Sequence, residues 1–117
     1  MDAPKITKET CHIDWNSGGF YVNQLIKGLS PYPGAWSEIV SADGTRQSVE
    51  IYEAYIDTEE SALPTAGCIK SDGKSYLSVS CGDYMLHILD LQLAGKRRLD
   101  IKQFLAGFRE PESYHFE

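Results

Sequence analysis

Residues 46–56 read Arg46-Gln47-Ser48-Val49-Glu50-Ile51-Tyr52-Glu53-Ala54-Tyr55-Ile56, and their apolar phase decides the fold. Val49 and Ile51 alternate with polar neighbours, as one face of a strand requires. The alternation then slips by one residue, and Tyr52, Ala54 and Ile56 carry the apolar face onward. A strand that changes face partway contains a bulge or bend, the device by which small sheets turn back on themselves. This stretch predicts one wall of a small barrel.

Working outward, Ala42-Asp43-Gly44-Thr45 is a turn signal, and residues 35–41 before it form a short candidate strand. A polar loop is expected over 57–65, then strands at 67–70, 76–81 and 85–91. Ser71-Asp72-Gly73-Lys74 and Gly82-Asp83 supply the turns between them. Five short strands at this spacing favour a closed or nearly closed barrel. On the N-terminal side, Val22, Leu25, Ile26 and Leu29 fall at i, i+3, i+4 and i+7, which predicts a helix over 17–29 started by Asn16 and Ser17. Two prolines in Ser30-Pro31-Tyr32-Pro33-Gly34 end it. On the C-terminal side, Ile101, Phe104, Leu105 and Phe108 repeat the helical spacing behind Asp100 as cap. The expected fold is mainly β with flanking helices (α+β): helix, five strands, helix. Residues 1–11 read as a tether, 12–111 as the folded domain, and 112–117 as a loosely held tail.

The 117 residues, 42% of them hydrophobic and 24% charged, suit one ordinary globular domain. No run approaches the roughly 20 apolar residues of a membrane span, and the N-terminus lacks the apolar core of a signal peptide. A soluble, cytoplasmic protein without membrane contact is expected. Cys11, Cys68 and Cys81 are odd in number and far apart, so neither a disulfide framework nor a cysteine metal site is expected.

Catalytic motifs are missing. Gly18-Gly19 lacks the Lys-Ser/Thr of a phosphate loop, and neither G-x-S-x-G nor H-E-x-x-H occurs. Of the histidines, His12 lies by the tether, His115 in the tail, and His87 mid-strand, where packing is the expected role. No catalytic, cofactor-binding or metal-ligating residue is assigned.

Net charge is −6, which disfavours strong autonomous nucleic-acid binding. The charge is uneven, however. Glu38, Asp43, Glu50, Glu53, Asp57, Glu59 and Glu60 share their segment with Arg46 alone, whereas Lys96, Arg97, Arg98, Lys102 and Arg109 share theirs with Asp100 alone. Three consecutive cations between a strand and a helix are either a solvated corner or a contact for an anionic partner, RNA phosphate foremost. Lys102, one turn into the next helix, would extend such a patch.

Ile13-Asp14-Trp15, the helix end Ile26-Lys27-Gly28-Leu29, and the corner Ser30-Pro31-Tyr32-Pro33-Gly34-Ala35-Trp36 resemble the opening of the formyltransferase C-terminal domain as found in methionyl-tRNA formyltransferases. Pro64 and Gly67, then Leu91-Gln92-Leu93-Ala94-Gly95-Lys96-Arg97-Arg98-Leu99, and the closing helix from Asp100 to Gly107 continue the resemblance in order over nearly the whole chain. It departs from the family pattern at Lys27, usually Arg, and at Thr65-Ala66, which separate Pro64 from Gly67. The resemblance implies an OB-like barrel that contacts initiator methionyl-tRNA through phosphates. It also implies an N-terminal catalytic domain as partner in the same chain, with residues 1–11 the end of an interdomain linker. That other domain would use 10-formyltetrahydrofolate as formyl donor, and this domain would hold no cofactor. Lys96, Arg97, Arg98 and Lys102 inherit the expectation of tRNA contact. The alternatives are the corresponding domain of a formyl-transferring enzyme acting on a nucleotide sugar or on formylfolate, and a stand-alone interaction module.

Overall fold

The slip in apolar phase is where a hydrogen-bond ladder slips. In the computed structural model, which describes residues 9–117, strand β2 (Arg46–Ser61) pairs antiparallel with β5 (Tyr84–Leu93), and their register shifts on both sides of Glu53. The first part of β2 also pairs with β1 (Ala35–Val40), Ala35 opposite Ile51 and Val40 opposite Arg46. One long, bent strand therefore belongs to both walls of the barrel. Strand β3 (Ile69–Ser71) pairs with β4 (Leu77–Ser80), and β4 with β5. The helix α1 (Gly19–Leu29) precedes the strands. After β5 come the two-residue β6 (Leu99–Asp100), helix α2 (Ile101–Ala106) and β7 (His115–Phe116).

The sheet order is β3-β4-β5-β2-β1-β7, with β6 beside β5. What closes it is the segment expected to be a loose tail. β7 pairs with β1, Ile39 opposite Phe116, and an antiparallel bridge joins His115 to Cys68 just ahead of β3. The Phe116 amide donates to the Gly67 carbonyl at 2.8 Å, while the Gly67 amide donates to Ser80. Residues 115–116 thus stand between the two ends of the sheet. The sequence does not disclose this because the segment's apolar residues, Tyr114 and Phe116, are too few for a periodicity to show. Gly67 answers the same closure: its φ is +92°, and a Cβ there would lie 2.2 Å from the Phe116 carbonyl oxygen.

Two other expectations are corrected. The polar loop begins only after Ser61, because β5 supplies ladder partners to Asp57 and Ser61 whatever their side chains. At the other end, Asn16 and Ser17 do not start α1. They lie in a 3-10 turn (Trp15–Ser17) capped by Asp14, and the Gly19 amide at the head of α1 donates instead to Asp83 Oδ1 at 2.9 Å. An anion from a distant turn at a helix N-terminus satisfies an orphan donor and complements the helix dipole. Asp100 caps α2 as expected, with a reciprocal bond from Gln103.

The core is built from both walls and both helices. Val22 and Ile26 come from α1, Ile51 and Ile88 from the long strands, Leu77 and Val79 from β4, and Phe104 and Leu105 from α2. Each large side chain so buried contributes about 1.5–3 kcal/mol. The Trp15 indole N–H donates to Ser37 Oγ at 2.9 Å, and Ser37 in turn donates to the Glu117 carbonyl at 2.8 Å. That chain leaves no buried polar group of the three unsatisfied and ties the last residue to the first aromatic anchor.

Candidate nucleic-acid interface

The candidate residues leave β5 at a tight turn. The Lys96 amide donates to the Leu93 carbonyl at 3.0 Å, with Gly95 at φ +77° between them; a side chain would be strained at Gly95. Gln92 holds the turn from below, its amide nitrogen donating to the Lys96 carbonyl at 2.7 Å. Gln92 Oε1 lies 2.8 Å from the Tyr52 hydroxyl, which is also 2.6 Å from Glu50 Oε2. Burial, reinforced by the Glu50 hydrogen bond and charge, pushes the Tyr52 phenol up to about 12. The phenol therefore stays protonated and remains a donor.

The four expected cations divide. Lys96 and Arg97 are exposed, and among the described residues neither is paired with a carboxylate. They stand over a groove of about 300 Å³ floored by Leu91, Leu99, Phe104 and Phe108. Arg98 turns the other way. Its Nε donates to Asp90 Oδ1 at 2.6 Å, and its guanidinium lies 4.3 Å from the centroid of the Tyr52 ring. β6 explains the split: pairing Leu99 with Leu91 and Asp100 with Asp90 fixes the strand's course, which places Arg98 beside Asp90. Lys102 is exposed in the first turn of α2. A cation there opposes the helix dipole, so its position is not explained by stability of the fold.

Sequence reading missed Tyr52 and Asp90, and named Gln92 only as part of the Gln92–Arg98 stretch without its role in holding the turn. Only the polar residues Asp90 and Gln92 interrupting an apolar strand could have signalled them. Replacing Arg98 with alanine is expected to cost about 1 kcal/mol, the sum of a partly exposed ion pair and a cation–π contact. Urea unfolding checks that, and an unchanged midpoint would show that the contact carries no weight.

Arg46 meets Glu38 at 3.5 Å and Glu117 at 2.9 Å, and Lys70 meets Glu60 at 2.6 Å. The acidic segment is thus partly neutralised by its own Arg46 and by Lys70 of β3, while Lys96 and Arg97 in the turn after β5 keep their positive charge. A second cleft, about 620 Å³, opens between Tyr32 and Trp36 on one side and Ala94 and Gly95 on the other. Tyr32 is 87% exposed at its rim.

Residues 5–109 match the family model described as the formyl transferase, C-terminal domain. Over 112 residues, 96% of the chain, 46% are identical to a methionyl-tRNA formyltransferase of Parabacteroides distasonis, of which this covers 34%. A methionyl-tRNA formyltransferase of Phocaeicola vulgatus is 47% identical over 98% of the chain and 35% of its own length. One from Protochlamydia amoebophila is 33% identical over 90% of the chain and 32% of its length. The chain spans about a third of the length of these relatives.

Proposed function

The chain belongs to the formyl transferase C-terminal domain family, and from that premise we propose that it is the tRNA-gripping domain of a methionyl-tRNA formyltransferase. The observation that carries this reading is the exposed Lys96-Arg97 turn, without a carboxylate partner among the described residues, on a molecule whose net charge is −6. Evenly solvated cations need no scaffold, whereas this turn is held by Gly95, Gln92 and Tyr52. Lys96, Arg97 and Lys102 contact the phosphates of initiator methionyl-tRNA. Arg98, engaged by Asp90, fixes the course of the chain beneath them. Such contacts position the RNA without reading its bases.

The formyl group, carried by 10-formyltetrahydrofolate, would be transferred to the methionyl amino group by an N-terminal catalytic domain in the cytoplasm. The names of the relatives do not favour a nucleotide-sugar or formylfolate substrate. No described helix is long and apolar enough to cross a membrane.

Titration of the chain with initiator tRNA at two salt concentrations tests the reading, with Lys102→Glu as the diagnostic variant. It is expected to weaken tRNA binding while raising thermal stability slightly, since reversing a charge at a helix N-terminus gains a few tenths of a kcal/mol. Unchanged affinity in that variant removes Lys102 from the interface. Salt-independent affinity of the parent chain refutes phosphate recognition altogether.

A further inference from the structure

On the opposite end of the β2–β5 pair, His87 lies between two carboxylates. His87 is on β5, opposite Tyr55 of β2, and Asp57 follows Tyr55 by two residues on the same face. Beyond Asp57 the register breaks: β2 advances from Asp57 to Ser61 while β5 advances only from Met85 to Tyr84. This bulge brings Glu60 to the same place. One ligand atom from each of Asp57, Glu60 and His87 falls within 4.8 Å of the others.

His87 Nε2 is shut off from solvent and makes no hydrogen bond among the described residues. Its nearest acceptors are Asp57 Oδ2 at 3.6 Å and Glu60 Oε2 at 4.0 Å. Those separations are too long for hydrogen bonds. They approach the separation of roughly 2.9–3.5 Å between neighbouring donors around an ion with bonds near 2.1 Å. Both carboxylates have their other oxygen anchored: Asp57 Oδ1 accepts from the Glu59 amide at 3.0 Å, and Glu60 Oε1 from Lys70 at 2.6 Å. The free oxygens are thereby turned toward the imidazole. Tyr55 stacks on the His87 ring at 4.7 Å and Tyr76 lies against it at 5.8 Å, which fixes the ring plane. Oriented ligands held by an outer layer of hydrogen bonds are what a metal site needs.

We propose that Asp57, Glu60 and His87 bind a divalent transition ion, with zinc the best match to one imidazole nitrogen and two carboxylate oxygens. The remaining positions go to water. The donor atoms lie within 4.8 Å of one another, so side-chain shifts of up to about an ångström close them onto the ion. A bound ion clamps the β2 bulge to β5, on strands continuous with those that carry the cationic turn. The site does not depend on the tRNA reading and would exist without it.

Calorimetric titration of the chain with zinc chloride tests it. One equivalent is expected to bind, and cobalt in its place should give the visible absorption of a low-coordinate ion. Asp57→Asn and Glu60→Gln, each half-buried on the bulge, should each weaken binding at least tenfold, with circular dichroism showing that they fold. His115→Gln removes the other histidine–carboxylate pair and should leave binding unchanged. Zinc should raise the melting temperature of the parent chain and not that of Glu60→Gln. Absence of zinc binding overturns the proposal, as does binding of equal strength in Asp57→Asn and Glu60→Gln.

Discussion

Replacing Phe116 with alanine is expected to destabilise the domain by about 3–5 kcal/mol, the usual cost of removing a buried phenylalanine. Phe116 is 2% exposed and packs 5.3 Å from the Trp15 ring. Its backbone is bonded on one side to Gly67 and, through its neighbour Glu117, to Glu38 on the other. The ring fills the gap between the barrel ends, so its loss leaves a cavity that collapse of either end cannot fill without breaking these bonds. Gly67→Ala should be about as damaging by another route, combining a disallowed φ with a clash against backbone that has no room to retreat. A domain of this size has only about 5–15 kcal/mol in total, so either change consumes a large part of its stability. Urea unfolding gives the values. A loss below about 1 kcal/mol for Phe116→Ala would mean that β7 is an ornament on an already closed sheet.

That closure marks the limit of what the linear sequence discloses. Elements with a local pattern were legible: the spacing of Val22, Ile26 and Leu29 produced α1, Asp100 marked the cap of α2, and the slip between Ile51 and Tyr52 located the bulge. Elements made by pairing alone were not. β6 and β7 are two residues each, too short for any period, and exist because β5 and β1 offer unpaired edges. The end of β2 has the polar composition of a loop, but its partner strand keeps it extended. The same distinction governs the sites. Lys96-Arg97-Arg98 stands out as a run of charge, yet the run could not show that Asp90 captures the third member. Asp57, Glu60 and His87 are brought together by the strand ladder across a long stretch of chain, and no spacing rule would have joined them.

Substituting both Lys96 and Arg97 with alanine is expected to be the most damaging change to tRNA affinity that leaves the fold intact. Both side chains are exposed, so unfolding should be unaffected within about 0.5 kcal/mol. Each cation at a duplex phosphate contributes about 0.9 to the slope of log affinity against log salt, and losing both should flatten it by nearly two. Between about 50 and 200 mM salt the parent chain should therefore lose roughly tenfold more affinity than the variant does. This difference separates phosphate contact from indirect damage. A disturbed turn would lower affinity equally at both salt concentrations, whereas lost ion contacts matter most where screening is least. Arg98→Ala provides the contrast, because its charge is already met by Asp90: it should weaken the scaffold and change the salt slope little. If the double variant and the parent have the same slope, the turn is a solvated corner, and the proposed phosphate contact at Lys96 and Arg97 is refuted.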